Sequence, residues 1–159
     1  NLWINTTHEL LQKVIRRVHL MLLNDAEARA VSGRYNLLNA AEEIRRMGPS
    51  IVVVKKGEHG AMVFSERGIS LIPAVPLSTA KDPTGAGDTF AGGMIGYLAR
   101  FGIGNRAQLA GAALMGAILA SFTVENFSVT GLATATPQSI ADRKALLQAA
   151  MQIEMQSLV

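Results

Sequence analysis

Two short apolar runs limit the fold of this chain more than any other feature. His19-Leu-Met-Leu-Leu23 stops at the polar Asn24, and Ile51-Val-Val-Val54 is an unbroken series of β-branched residues. The first reads as a buried strand of the kind found in parallel sheets. The second reads as a strand because branched side chains suit a pleated surface. Helical patterns surround both. Leu10, Leu11, Val14, Ile15 and Val18 recur at helical spacing between Thr7 and Val18, with Thr6 or Thr7 as N-cap. Asp25 to Ser32 reads as a short helix closed by Gly33, and Leu37 to Met47 as a second one stopped by Gly48-Pro49. Ala61–Phe64 and Ile69–Ile72 read as further strands joined by the turn Ser65-Glu-Arg-Gly68. Thr89–Phe101 and Arg106–Phe122 read as helices crowded with Gly and Ala, small enough to pack closely. An amphipathic helix follows from Pro137 to about Gln156. Leu2–Ile4 reads as the stub of another strand. The alternation predicts an α/β layered fold with a mostly parallel central sheet, flanking helices and an antiparallel hairpin at one edge.

The 159 residues suit one domain, residues 1–159, with a real core and no need of disulfides or metal. There is no cysteine, which excludes disulfides and thiolate metal sites and fits a cytoplasmic protein. The formal charge of +3 is mild and evenly spread, so nucleic acid is not an expected partner. No apolar run is expected to reach the ~18 residues a membrane span needs, and no secretory leader is visible. The chain opens with Asn1 rather than Met. Either the start was processed away or a longer protein is represented in part.

The chemistry concentrates in Lys81-Asp-Pro-Thr-Gly-Ala-Gly-Asp88, which runs into the helix expected from Thr89. The first N–H groups of a helix have no partner inside it and sit at the positive end of its dipole. Gly85 and Gly87 allow close backbone approach, so the loop reads as an anion-binding nest. Asp88 adds a carboxylate beside it. Such a charge opposes anion binding, and makes sense where it takes a proton from a hydroxyl attacking phosphorus. A turn followed by an inert N-cap aspartate would have the same sequence. The loop is not a Walker A motif, nor G-x-G-x-x-G, since the third glycine does not fall in place.

Asp82-Pro-Thr-Gly-Ala-Gly-Asp-Thr-Phe-Ala-Gly-Gly93 resembles the C-terminal signature of the ribokinase-like (PfkB-type) carbohydrate kinases, usually D-T-x-G-A-G-D; Pro83 stands where Thr is common. Two further stretches follow the family order. Leu23-Asn-Asp-Ala-Glu-Ala28 is similar to its N-x-x-E motif, and Val54-Lys-Lys-Gly-Glu-His-Gly60 to its nucleotide loop, often T-x-G-x-x-G, with Lys55 in place of Thr. The resemblance implies a ribokinase-like fold and ATP-dependent phosphorylation of a sugar hydroxyl, or of a nucleoside. It implies Asp88 as catalytic base and the backbone of Gly85, Ala86 and Gly87 as the anion hole. Asn24 and Glu27 would hold phosphates and Mg²⁺, with Glu27 the metal residue. Lys55, Gly57 and Gly60 would meet the nucleotide. Asn126, within Ala120-Ser-Phe-Thr-Val-Glu-Asn-Phe127, would border the adenine. The loop around Asp82 would help bind a monovalent cation such as K⁺.

Family members run to roughly twice this length, so the resemblance is to the C-terminal, nucleotide-binding part only. The acceptor pocket and lid would lie upstream, and the chain alone would be an incomplete enzyme. A homodimer, or association with the N-terminal part, is expected to cover the exposed apolar sheet. A non-catalytic nucleotide-binding fragment is the alternative from another class. Taken singly, Asn24 and Glu27 also read as helix-start residues, and Gly57 and Gly60 as hairpin glycines. His8, His19 and His59 lack ligand spacing, Arg16-Arg17 and Arg45-Arg46 read as solvated faces, and Met94, Met115, Met151 and Met155 read as core fillers.

Overall fold

The computed structural model describes residues 4 and 6–152. Its elements run α1 (His8–Ile15), β1 (Leu20–Asn24), α2 (Asp25–Ser32), α3 (Leu37–Met47), β2 (Ile51–Lys55), a 3₁₀ turn (Gly57–His59), β3 (Ala61–Ser65) and β4 (Gly68–Ile72). Then come α4 (Ala86–Phe101), α5 (Arg106–Val124), the short α6 (Thr130–Ala133) and α7 (Pro137–Ala150). The four strands form one sheet in the order β1-β2-β3-β4. β1 and β2 are parallel, with Leu20 opposite Ile51 and Asn24 opposite Lys55. β2/β3 and β3/β4 are antiparallel. The sheet is therefore mixed rather than mostly parallel, because the expected hairpin makes up half of it.

β2 explains the layering. Its side chains alternate between faces. Ile51 and Val53 join β3, β4, α4 and α5 in one core, with Phe90, Met94 and Leu98 from α4. Val52 and Val54 join α1, α2 and α3 in the other, with Ile15, Ala28 and Ile44. A strand buried on both faces has no use for polar alternation, which is why this run is wholly branched and apolar. α7 closes a third cluster by setting Leu147 against Ile118 and Phe122 of α5.

α4 and α5 cross at glycines. A Cβ on Gly116 would lie 2.6 Å from the Phe90 carbonyl oxygen, and one on Gly93 would lie 3.1 Å from the Gly116 Cα. The two backbones thus touch, as the small-residue composition predicts. α5 has 19 residues and is long and apolar enough to cross a membrane by length and composition. This corrects the expectation that no run reaches that length. Half of it is buried against the rest of the protein, so here it serves as a core helix.

Other expectations shift. β1 lies at the sheet edge, and of its residues only Leu23 is fully buried. α4 begins at Ala86, three residues before the expected start. Leu10 and Val14 of α1 are exposed, because the apolar stripe is wider than the surface it meets. α7 lacks the expected amphipathic pattern, since Leu147 is its only fully buried residue while Leu146 is exposed. Met94 is wholly buried, but Met151 is 41% exposed, as the chain has left the core by then. Of the expected strand stub, Leu2 and Trp3 lie outside the described residues and Ile4 is helical. Met155 and the expected end of the last helix also lie outside them.

Candidate active site

Gly85 is the N-cap of α4, with φ of 81°, a left-handed conformation that glycine adopts without a steric penalty. Ala86, Gly87 and Asp88 form the first turn. The Ala86 N–H donates to the Pro83 carbonyl at 3.1 Å. The N–H groups of Gly85, Gly87 and Asp88 have no intramolecular acceptor among the described residues. Three orphan donors at the positive end of a 16-residue helix make a built anion nest. Within the hole expected from the sequence, Ala86 is thus engaged internally, and Asp88 supplies a donor of its own. The Asp88 carboxylate is exposed and bonds no described side chain.

The nest is held from both sides by the last turn of α5. The Val124 carbonyl accepts the N–H groups of Lys81 at 2.8 Å and Asp82 at 3.2 Å. The Thr89 and Thr123 hydroxyls lie 2.9 Å apart. Arg143 of α7 braces this turn by donating to Ser121 and Glu125 while its guanidinium stacks 3.6 Å from the Phe122 ring centroid. Thr123 and Val124 lie in the stretch Ala120–Phe127 that the sequence singled out for Asn126, without a role of their own, and nothing in the local spacing marks Arg143.

The three motif stretches converge at the carboxyl ends of the parallel strands. Lys55 ends β2 opposite Asn24, which ends β1. Lys55 shares the strand face of Ile51 and Val53, the one turned toward α4, and its Nζ donates to the Gly87 carbonyl at 3.4 Å. Ligands of open α/β sheets bind in this location.

The remaining sequence-predicted residues divide. Asn24 and Glu27 form a reciprocal capping box at the start of α2. Asn24 Oδ1 accepts from the Glu27 N–H at 2.8 Å, and Glu27 Oε2 accepts from the Asn24 N–H at 2.9 Å. That leaves the amide of Asn24 and one carboxylate oxygen of Glu27 for a ligand. Gly57 has φ of 59° with open space where a Cβ would stand, so its loop faces outward freely. Gly60 is constrained by packing instead: a Cβ there would lie 2.0 Å from the Ile72 carbonyl oxygen. Asp82 Oδ1 accepts from the Thr84 N–H at 2.9 Å. The Thr84 side chain, and then that N–H, hold the Asp82 carboxyl below the usual carboxylate range. Asn126 donates to the Phe122 carbonyl at 3.3 Å and packs on Gly131, so its amide ties α5 to α6.

Among the described residues no three His, Cys, Asp or Glu side chains cluster as a metal cage. A magnesium ion carried by nucleotide phosphates needs only one or two carboxylates, with phosphate oxygens and water completing the octahedron. The single free oxygen of Glu27 fits that requirement. On its other side Asp88 borders a groove of about 640 Å³ between α4, α5 and α6. Gly92, Gly96, Tyr97, Met115 and Leu119 line it, so its wall is largely apolar.

The mixed α/β sheet thus carries, at the carboxyl ends of its parallel strands, a helix start where three N–H donors stand beside an exposed carboxylate. The chain belongs to the pfkB family of carbohydrate kinases, whose sequence pattern matches residues 1–136. Its fold is ribokinase-like. It is 35% identical over 92 residues to the cytidine kinase of Thermococcus kodakarensis, covering 56% of this chain and 33% of that one. It is 30% identical over 96 residues to a fructokinase of Klebsiella pneumoniae, covering 60% and 31%. The crystal structure of aminoimidazole riboside kinase from Salmonella enterica, complexed with aminoimidazole riboside and an ATP analogue, superposes with a TM-score of 0.75 at 25% identity. That match covers 86% of this chain and 46% of the other. The chain thus spans about a third of the length of these two sequence relatives and less than half of that structure.

Proposed function

We propose that this chain is the C-terminal, nucleotide-binding part of an ATP-dependent kinase that phosphorylates a sugar hydroxyl. The observation that carries the reading is the start of α4, where three unpaired N–H donors stand beside the unpaired carboxylate of Asp88. The terminal phosphoryl group of ATP sits on the donors of Gly85, Gly87 and Asp88. Asp88 takes the proton of the acceptor hydroxyl as its oxygen forms a bond to the γ-phosphorus. The bond from that phosphorus to the bridging oxygen breaks, and ADP leaves with the electron pair. The nest carries the charge that spreads over the phosphoryl oxygens in transit. Glu27 would hold a Mg²⁺ ion through its free carboxylate oxygen, and the ion would supply positive charge against that on the phosphates. The outward loop at Gly57 borders the nucleotide, and the loop around Asp82 is the place for a K⁺ ion in this reading.

A nucleoside acceptor is the second reading. Likeness to a cytidine kinase favours it, and the chemistry at Asp88 is the same because a nucleoside offers a sugar hydroxyl. In this reading acceptor-binding and lid residues belong to a preceding segment. A cytoplasmic location is part of the same proposal. The test is thermal denaturation of the chain with millimolar ATP and Mg²⁺ against Mg²⁺ alone. A ligand at 100 times its Kd stabilises by about 2.7 kcal/mol, so the melting temperature should rise by several degrees. An unmoved transition in a folded sample overturns the reading.

A further inference from the structure

We infer that Lys55 is a catalytic residue of this site, with its ammonium on the phosphoryl group in transit. The inference rests on the phosphoryl-transfer reading above and adds a residue to it. Lys55 carries an amine on a four-carbon stem. β2 turns that stem toward α4, and Nζ stops 3.4 Å from the Gly87 carbonyl oxygen. A Cβ on Gly87 would lie 2.8 Å from Nζ, so the amine lies directly against the floor of the nest.

The electrostatics of this placement point to an anion. Cations are favourable at the C-terminal end of a helix and unfavourable at its N-terminal end. Lys55 nevertheless places its charge at the start of α4, beside the orphan N–H groups of Gly87 and Asp88. No described carboxylate lies within 4.0 Å of Nζ, and its only described hydrogen bond is the long one to Gly87. An ammonium has three donors, so two are left for a ligand. A tetrahedral anion resting on the nest satisfies the remaining donors and turns the repulsion between ammonium and helix dipole into shared attraction. Asn24, opposite Lys55 in the parallel register, ends the neighbouring strand and spends only its Oδ1 on the α2 cap.

The experiment compares Lys55→Met and Lys55→Arg with the wild type in the full-length protein, measuring the Kd of ATP·Mg²⁺, the Kd of adenosine, kcat and KM. Met keeps the apolar stem, so the melting temperature without ligand should hold. Charge-assisted hydrogen bonds of this kind correspond to roughly 10- to 100-fold in affinity or rate. Lys55→Met should therefore lose about that factor in kcat/KM and part of it in ATP affinity, while adenosine, which lacks phosphate, binds unchanged. Lys55→Arg should recover part of the loss. Equal ATP affinity and equal turnover in Lys55→Met overturn the role of Lys55 while leaving the kinase reading intact. Equal losses for ATP and adenosine also overturn it, since the effect is then on the fold. A wild type that binds no ATP overturns both readings.

Discussion

Replacing Asp88 by Asn separates a catalytic base from a helix-start residue, because the structure makes the two costs very different. Asp88 is not the N-cap of α4; Gly85 is, and Asp88 stands in the first turn with its carboxylate exposed. Its contribution to folding is then the attraction of a charge to the helix dipole, about 0.3–1 kcal/mol at such sites. For a domain of this size, 1 kcal/mol moves the melting temperature by roughly 2–4 °C, so Asp88→Asn should shift it by no more than about 4 °C. The effect on chemistry is larger. A positioned general base contributes roughly 10²–10⁴ in rate, or about 2.7–5.4 kcal/mol at 1.36 kcal/mol per decade. The assay is ADP release with a sugar or nucleoside acceptor in the full-length protein, alongside calorimetry and nucleotide titration. Turnover should fall by at least about a hundredfold. Nucleotide affinity should hold or rise, because a negative charge beside the γ-phosphate has gone. Turnover within a few fold of wild type, at an unchanged melting temperature, refutes the assignment of Asp88 as base.

Three further outcomes follow from the packing and charge distribution. Gly116→Ala places a methyl 2.6 Å from the Phe90 carbonyl, whereas Gly96→Ala meets nothing within 4 Å. Overpacking costs about 1–3 kcal/mol and mid-helix Gly→Ala gains about 1 kcal/mol. The first variant should therefore melt several degrees lower and the second slightly higher; equal shifts would contradict the crossing described for α4 and α5. Asp25 bonds Arg29 at 2.6 Å, and this contact, with the first-turn backbone, holds its carboxyl below the usual range. A lowered folded-state value stabilises above about pH 4 and is lost as pH falls through that value. Asp25→Asn should thus cost about 0.3–0.5 kcal/mol at pH 7, the size of exposed pairs, with the difference from wild type closing near pH 2 in denaturant titrations. Finally, the 159-residue chain alone should self-associate through the unpaired edge of β1 and show little acceptor-dependent turnover. A monomer by light scattering at high concentration would count against the first expectation, and robust turnover against the second.

Local pattern in the sequence determined most of the elements and marked the helix start at Asp88 as the candidate site. Four β-branched residues made β2 a strand, and Gly33 and Gly48 ended their helices where expected. The glycines before Asp88 announced a donor-rich helix start. These features are legible because propensity, capping and turn geometry act over a few residues. Tertiary structure decided what those residues have for neighbours. It made β1 an edge strand and gave Gly60 a packing reason. It left Asn24 and Glu27 with half of their polar atoms already spent on the cap. It also carried Lys55 to Gly87 across 32 residues and paired Thr89 with Thr123 across 34. Contacts of that range depend on how helices cross and which strand face meets them. Side-chain parity along β2 already pointed Lys55 and Val53 the same way, but only the docking of α4 on that face shows what the amine meets there.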